Sequence, residues 1–207
     1  MVNYEEYVFP PCLSESIANT AITFFKTRNL IDLPLKTQFE GVGVYAIYYF
    51  GENALYRRLG EKNRASELEN LTPIYAGKAV PQGWRAARNY DANINALYRR
   101  INEHSANISN ADNLCLTDFK CRFIILKGYE KDLIAPIEAA LIRLWSPLWN
   151  SHIDGFGNHD PGSGRYDQSP SEWDTIHPGR PWVERLRGIK PDQDWIRNKI
   201  ENYLGSG

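Results

Sequence analysis

The stretch Gly41-Val42-Gly43-Val44-Tyr45-Ala46-Ile47-Tyr48-Tyr49-Phe50 carries β-branched or aromatic side chains at most positions after its leading glycine. Such side chains fit a pleated surface, and a short apolar run bounded by a turn residue is a strand hidden from solvent. Val42 to Phe50 therefore reads as a buried, central strand. After it, a polar and charged stretch from Gly51 to Asn70 reads as a long loop or short helix, leading to a second short strand at Pro73 to Ala79.

Outward from this pair, helical and extended patterns alternate. Upstream, SESIANTAITFFKTRNL (14–30) spaces Ile17, Ala21, Phe24 and Phe25 at helical intervals after a possible cap, Ser14, and predicts an amphipathic lead helix. Downstream, the residues from Asp91 place Ile94, Leu97, Tyr98 and Ile101 on one face and predict a helix ending before Asn107. Arg100 and His104, four residues apart, share a second face. FKCRFIIL (119–126) is a third strand candidate, and Asp132 to Trp145 a strongly apolar helix that tolerates Pro136 near its start. The order is β, β, α, β, α. Beyond Asn150 the chain is dense in Gly, Pro, Asp and Trp, and a helix over Asp192 to Tyr203 closes it.

Bulk properties narrow the function classes. A chain of 207 residues, 43% hydrophobic and 24% charged, can build one real core with an extension or two. No apolar run approaches the roughly 18 residues of a membrane span, and the acidic start lacks the basic and apolar regions of a secretory signal, so a cytoplasmic protein is expected. Cys12, Cys115 and Cys121 have neither the number nor the spacing of a disulfide framework or zinc knuckle. A net charge of -1 argues against nucleic-acid binding on average. Locally, however, Arg85, Arg88 and Arg99 cluster between Lys78 and Arg100, and Arg180, Arg185, Arg187 and Lys190 form a second group. Arginine suits bidentate contact with phosphate or guanine; a solvated helix face is the plainer reading.

Five elements read together resemble the GIY-YIG nuclease family. Gly43-Val44-Tyr45 stands for the first motif and Tyr75-Ala76-Gly77, followed by Lys78, for the second. Arg100 and His104 follow on the next helix, Glu138 on the apolar helix, and Asn150 in PLWN. Ala76 replaces the family's usual branched residue, and the wide spacing between the motifs implies an inserted loop that could reach DNA. The resemblance implies an α/β (α+β) fold: a small three-stranded, mainly antiparallel sheet flanked by helices. Residues 1–40 would form an N-terminal helical arm, 41–150 the catalytic core with an inserted loop at 51–72, and 151–207 an extension packed with the core as one domain.

It also implies roles. Glu138, embedded in an apolar run where an unpaired carboxylate is costly, would anchor one Mg²⁺, with Mn²⁺ a possible substitute. Arg100 would stabilise charge on the phosphate, and Tyr75 and Asn150 would position phosphate and metal. The water activator is Tyr45 or His104, and a phenol in that role needs a cationic neighbour, for which Lys78 is the candidate. Taken singly, the tyrosines would be core aromatics, Glu138 a solvated charge and His104 an ordinary histidine.

The tail, Gly155 to Arg165 followed by SEWDTIHPGR (171–180), is similar to that of GIY-YIG type II restriction endonucleases cutting the palindrome CCGCGG. Base readout then falls to Arg165 and Arg180, with Arg85 and Arg88 as phosphate clamps. A palindrome is matched most simply by a two-fold homodimer on double-stranded DNA, with no membrane and no cofactor besides the metal. His152 with Asn158-His159-Asp160 also suggests a histidine–metal site, against a plain Asx- and Gly-rich turn. A GIY-YIG repair or homing nuclease, a non-catalytic nucleic-acid-binding module and a small-ligand-binding protein are the competing readings.

Overall fold

In a computed structural model, residues 12–80 and 95–205 are described. Arg85 and Arg88, expected to clamp phosphate, lie outside the described residues, as do Asp91 and Ile94.

The elements are α1 (Cys12–Lys26), β1 (Ile31–Asp32), β2 (Val42–Tyr49), α2 (Arg57–Ala65), β3 (Tyr75–Ala79), α3 (Ala96–Asn110), β4 (Phe119–Leu126), α4 (Ile134–Trp145), α5 (Leu148–Ser151), α6 (Glu172–Ile176) and α7 (Gln193–Gly205). The strands form one antiparallel sheet in the order β1-β4-β2-β3. Helices cover it, so the chain has an α/β fold, with four strands among the described residues where three were expected. The extra one, β1, has two residues paired to Lys120 and Cys121, too short for any periodicity to announce.

Strand β2 is the middle of the structure, as its composition requires. All eight residues are buried, and it pairs with β4 from Val42 through Tyr49 and with β3 from Gly43 through Ile47. Its alternating side chains feed two cores. Tyr45, Ile47 and Tyr49 join α3, α5 and the C-terminal segment. Val42, Val44, Ala46 and Tyr48 join Phe25 of α1 and Ile134, Ile137 and Leu141 of α4. Gly43 is needed because a Cβ there would collide with the carbonyl oxygen of Ile124 on β4.

Helix α1 starts two residues before the serine expected to cap it, and only part of its expected apolar face turns inward. Phe25 is fully buried, whereas Ile17 is exposed and Phe24 is 52% exposed. The Arg28 guanidinium lies 4.1 Å from the Phe24 ring centre and shields it. The inserted region from Gly51 is helical over α2, with Leu59 and Asn63 buried. Helix α3 runs three residues past Asn107, because Ile108 continues the buried face of Leu97, Ile101 and His104.

The C-terminal segment is tied into the first core by hydrogen bonds as well as by Ile153, Phe156, Trp173 and Ile176. Trp149 donates to the Tyr56 hydroxyl at 3.2 Å, and Tyr56 lies 2.5 Å from His177 Nε2. Asn113 donates its amide to the Ile176 carbonyl, which turns its oxygen toward His177 Nδ1 at 2.7 Å. His177 must therefore donate from Nδ1 and accept at Nε2, the neutral ring. Burial, with Arg197 and Arg180 adding to it, pushes its pKa down to about 3.

Two stability measurements check this architecture. Gly43→Ala is expected to lower unfolding free energy by about 2–3 kcal/mol, because the collision is with backbone, read as a lower urea midpoint. A histidine kept neutral in the fold binds its proton only on unfolding, so stability falls as pH drops from the ordinary histidine value of about 6.5 toward about 3. Urea midpoints across that range should decline for the parent and less steeply for His177→Gln.

Candidate active site

Tyr45 and Gly77 face each other across β2 and β3, and this pairing explains why an aromatic and a glycine stand at those motif positions. A Cβ on Gly77 would sit 2.6 Å from the Tyr45 hydroxyl, so glycine lets the phenol lie across the edge strand. The Tyr45 ring is 1% exposed, and its hydroxyl is 2.6 Å from Nε2 of His104. Tyr75 packs over both, with ring centres 6.3 Å from Tyr45 and 5.0 Å from His104. His104 is fully buried, which places it with Leu97 and Ile101 rather than on the second helix face expected for it. Phe156 of the tail stacks on the His104 ring at 4.5 Å.

The electrostatics follow from this burial. Desolvation, then the neighbouring Tyr75 oxygen, pushes the Tyr45 pKa well above the ordinary phenol value, while Arg100 pulls it down by charge and hydrogen bonding. Tyr75 is raised by burial and lowered by the same arginine. Burial first, then Arg100, pushes His104 well below the ordinary imidazole value. Tyr45 is thus a protonated phenol beside a neutral imidazole, and the His104 Nδ1 atom has no hydrogen-bond partner among the described residues. The cation near the phenols is Arg100 and not Lys78, which corrects the role expected for the lysine.

Lys78 instead forms an ion pair with Glu138. Strand alternation explains why. Tyr75 and Ala79 face the core that holds Tyr45, while Ala76, and with it Lys78, faces the core that holds α4. Because β3 is the edge strand, the carboxylate from one side of the sheet still acts on the phenols of the other and raises both. Glu138 is not a solvated surface charge, since its side chain is only 17% exposed.

Two phenols, an imidazole, a guanidinium and a half-buried carboxylate thus converge on the edge of an antiparallel α/β sheet. Residues 37–204 match the family described as the Eco29kI GIY-YIG domain. The chain belongs to the Eco29kI GIY-YIG family. No curated protein matches it. Membership makes the chain a nuclease with DNA as its substrate.

In this Eco29kI GIY-YIG chain the remaining expected residues are distributed differently. Asn150, expected on phosphate and metal, has both ends of its amide committed to one backbone unit. It accepts from Ala76 N at 2.7 Å and donates to Ala76 O at 2.8 Å. Those groups point away from β2, so the side chain bonds β3 as a neighbour strand would and holds it in place. Arg165 is exposed beside an open cleft of about 610 Å³ that His159, Asp160 and Trp182 also line. The histidine–metal alternative finds no support, since no group of three ligating side chains converges among the described residues.

Arg180 corrects its expected role as a base reader. It is 1% exposed, paired to Asp174 at 2.5 Å, and flanked by the rings of Trp173 and Trp182. Its remaining donors go to the carbonyls of Gly155, Phe156 and Asn158 at 2.9–3.3 Å. No donor is left to reach a base, and the guanidinium acts as a clip that shapes the loop over His104. Sequence spacing could not show this. Only the glycines flanking Phe156 signalled a close backbone approach.

Removing one partner of a buried ion pair strands the other charge, at a cost of about 3–5 kcal/mol. Asp174→Ala should therefore lower unfolding free energy by about that much in urea titration; a parental midpoint would return Arg180 to the surface as a possible reader.

Proposed function

We propose that the chain is a type II restriction endonuclease that hydrolyses DNA at a short GC-rich palindrome, CCGCGG, with one divalent cation per active site. The observation that carries the catalytic part is the contact of Tyr45 with His104 beside Arg100. The tail resemblance supports the palindrome, and a two-fold homodimer is the assembly that matches it. Exposed Arg165 is the base-reading candidate that survives, and Arg85 and Arg88 are proposed phosphate contacts.

In this reading Tyr45 and His104 activate water as one unit. A buried phenol is too weak an acid to work as phenolate. As the Tyr45 oxygen takes a proton from water, its own proton passes to neutral His104 Nε2, and the resulting hydroxide attacks phosphorus as the P–O3′ bond breaks. Arg100 stabilises charge on the non-bridging oxygens, and Tyr75 orients the phosphate.

Glu138 fits a hard cation. It supplies carboxylate oxygens and already binds one cationic group, the Lys78 ammonium. Mg²⁺, or Mn²⁺ in its place, commonly takes one or two protein carboxylates and fills its shell with water and phosphate. Bound there, the metal would neutralise charge on the phosphate and the leaving oxygen.

Digestion of a mixed-sequence plasmid with Mg²⁺ should yield discrete bands that map to CCGCGG; bands at another site would reject the palindrome, and structure-dependent nicking would favour a repair enzyme. Glu138→Gln should abolish cleavage while DNA binding in a gel shift persists. Arg100→Ala should slow single-turnover cleavage by about 10²–10³-fold.

A further inference from the structure

The Arg100 side chain leaves α3 and meets two groups from a distant segment. Nη1 lies 2.5 Å from His159 Nε2, and Nη2 donates to the Gly157 carbonyl at 3.1 Å. It also forms an ion pair with Glu103 on the same helix, 3.2 Å away and 43% exposed, a contact of small worth. An arginine has only donors, so His159 Nε2 must present a lone pair, and the imidazole is neutral with its proton on Nδ1. Burial and the Arg100 charge both lower its pKa.

The segment holding these acceptors is tightly held. Arg180 donates to three of its carbonyls, Phe156 packs on His104 and Tyr75, and a Cβ on Gly157 would come within 3.0 Å of the Tyr75 hydroxyl. A long side chain with many rotamers is thus met by acceptors on a fixed backbone.

We propose that His159 is a positioning residue for DNA cleavage, accepting from Arg100 and, with the Gly157 carbonyl, holding the guanidinium in one orientation beside Tyr45 and Tyr75. This rests on the nuclease reading above. A donor aimed in advance at the developing phosphate charge loses nothing to reorganisation during reaction, and misplacement by about 1 Å can cost about 10²-fold in rate. The contact therefore affects the chemical step, not the grip on DNA. His159 is exposed, so changing it leaves the fold intact.

Single-turnover cleavage of a CCGCGG duplex with Mg²⁺ by the full chain tests this. His159→Ala should slow cleavage by about 10–100-fold, with duplex Kd within about threefold and thermal midpoint unchanged. His159→Gln, whose amide oxygen can accept, should recover most of the rate. In an Arg100→Lys background, His159→Ala should cost little more, because the two act as a unit. A parental or faster rate in His159→Ala would overturn the proposal and make the contact a cover that DNA displaces. So would a loss confined to Kd, or a Gln variant as slow as Ala. A parent that cuts no duplex DNA with Mg²⁺ or Mn²⁺ would instead take down the nuclease reading, and this role with it.

Discussion

The whole site depends on how closely β3 can lie against the ring of Tyr45. Strand β2 is hydrogen-bonded along both edges and buried on both faces, so its position is over-determined. Tyr45 inherits that rigidity. Its hydroxyl reaches His104 only because Gly77, its cross-strand partner, has no Cβ. Among the described residues no strand pairs with the outer side of β3, and the Asn150 amide supplies the two hydrogen bonds such a strand would have made to Ala76. Tyr75 and Lys78 are thereby held at the rim where the two cores meet.

Burial then sets the chemistry. Withdrawing Tyr45 and His104 from water penalises the phenolate and the imidazolium alike, so both groups are neutral at rest, and a proton passed from one to the other creates a charge pair that burial disfavours unless the phenol regains a proton in the same step. The formal charges stay nearer the rim: Arg100 among the loop acceptors, and Lys78 with Glu138 on the other side of β3. A phosphate entering between them would meet positive charge at Arg100 without first desolvating a buried ion.

The tail is built by the same logic. Arg180 is costly to bury, and the structure offsets that cost with a carboxylate, three carbonyls and two aromatic faces. Arginine has the planar, multi-donor geometry to tie several backbone carbonyls at once. That is why a residue chemically suited to reading guanine can serve inside the protein, and why composition alone does not separate the two uses.

What the sequence by itself determined is the set of elements and the motif residues. β2, β3, β4, α3 and α4 are legible from periodicity and β-branched or aromatic content, since these reflect short-range geometry. Tyr45, Tyr75, Arg100, His104 and Glu138 are legible from their order along such elements. Tertiary structure alone decided who touches whom. It paired Lys78 with Glu138 instead of Tyr45, committed Asn150 to Ala76, turned Phe24 outward, buried Arg180 and brought His159 to Arg100. Each of these contacts joins residues far apart in the chain or chooses between two faces of one element. Local propensity carries no information about such choices, because they are settled by which burial and hydrogen-bond arrangement satisfies all the polar groups at once.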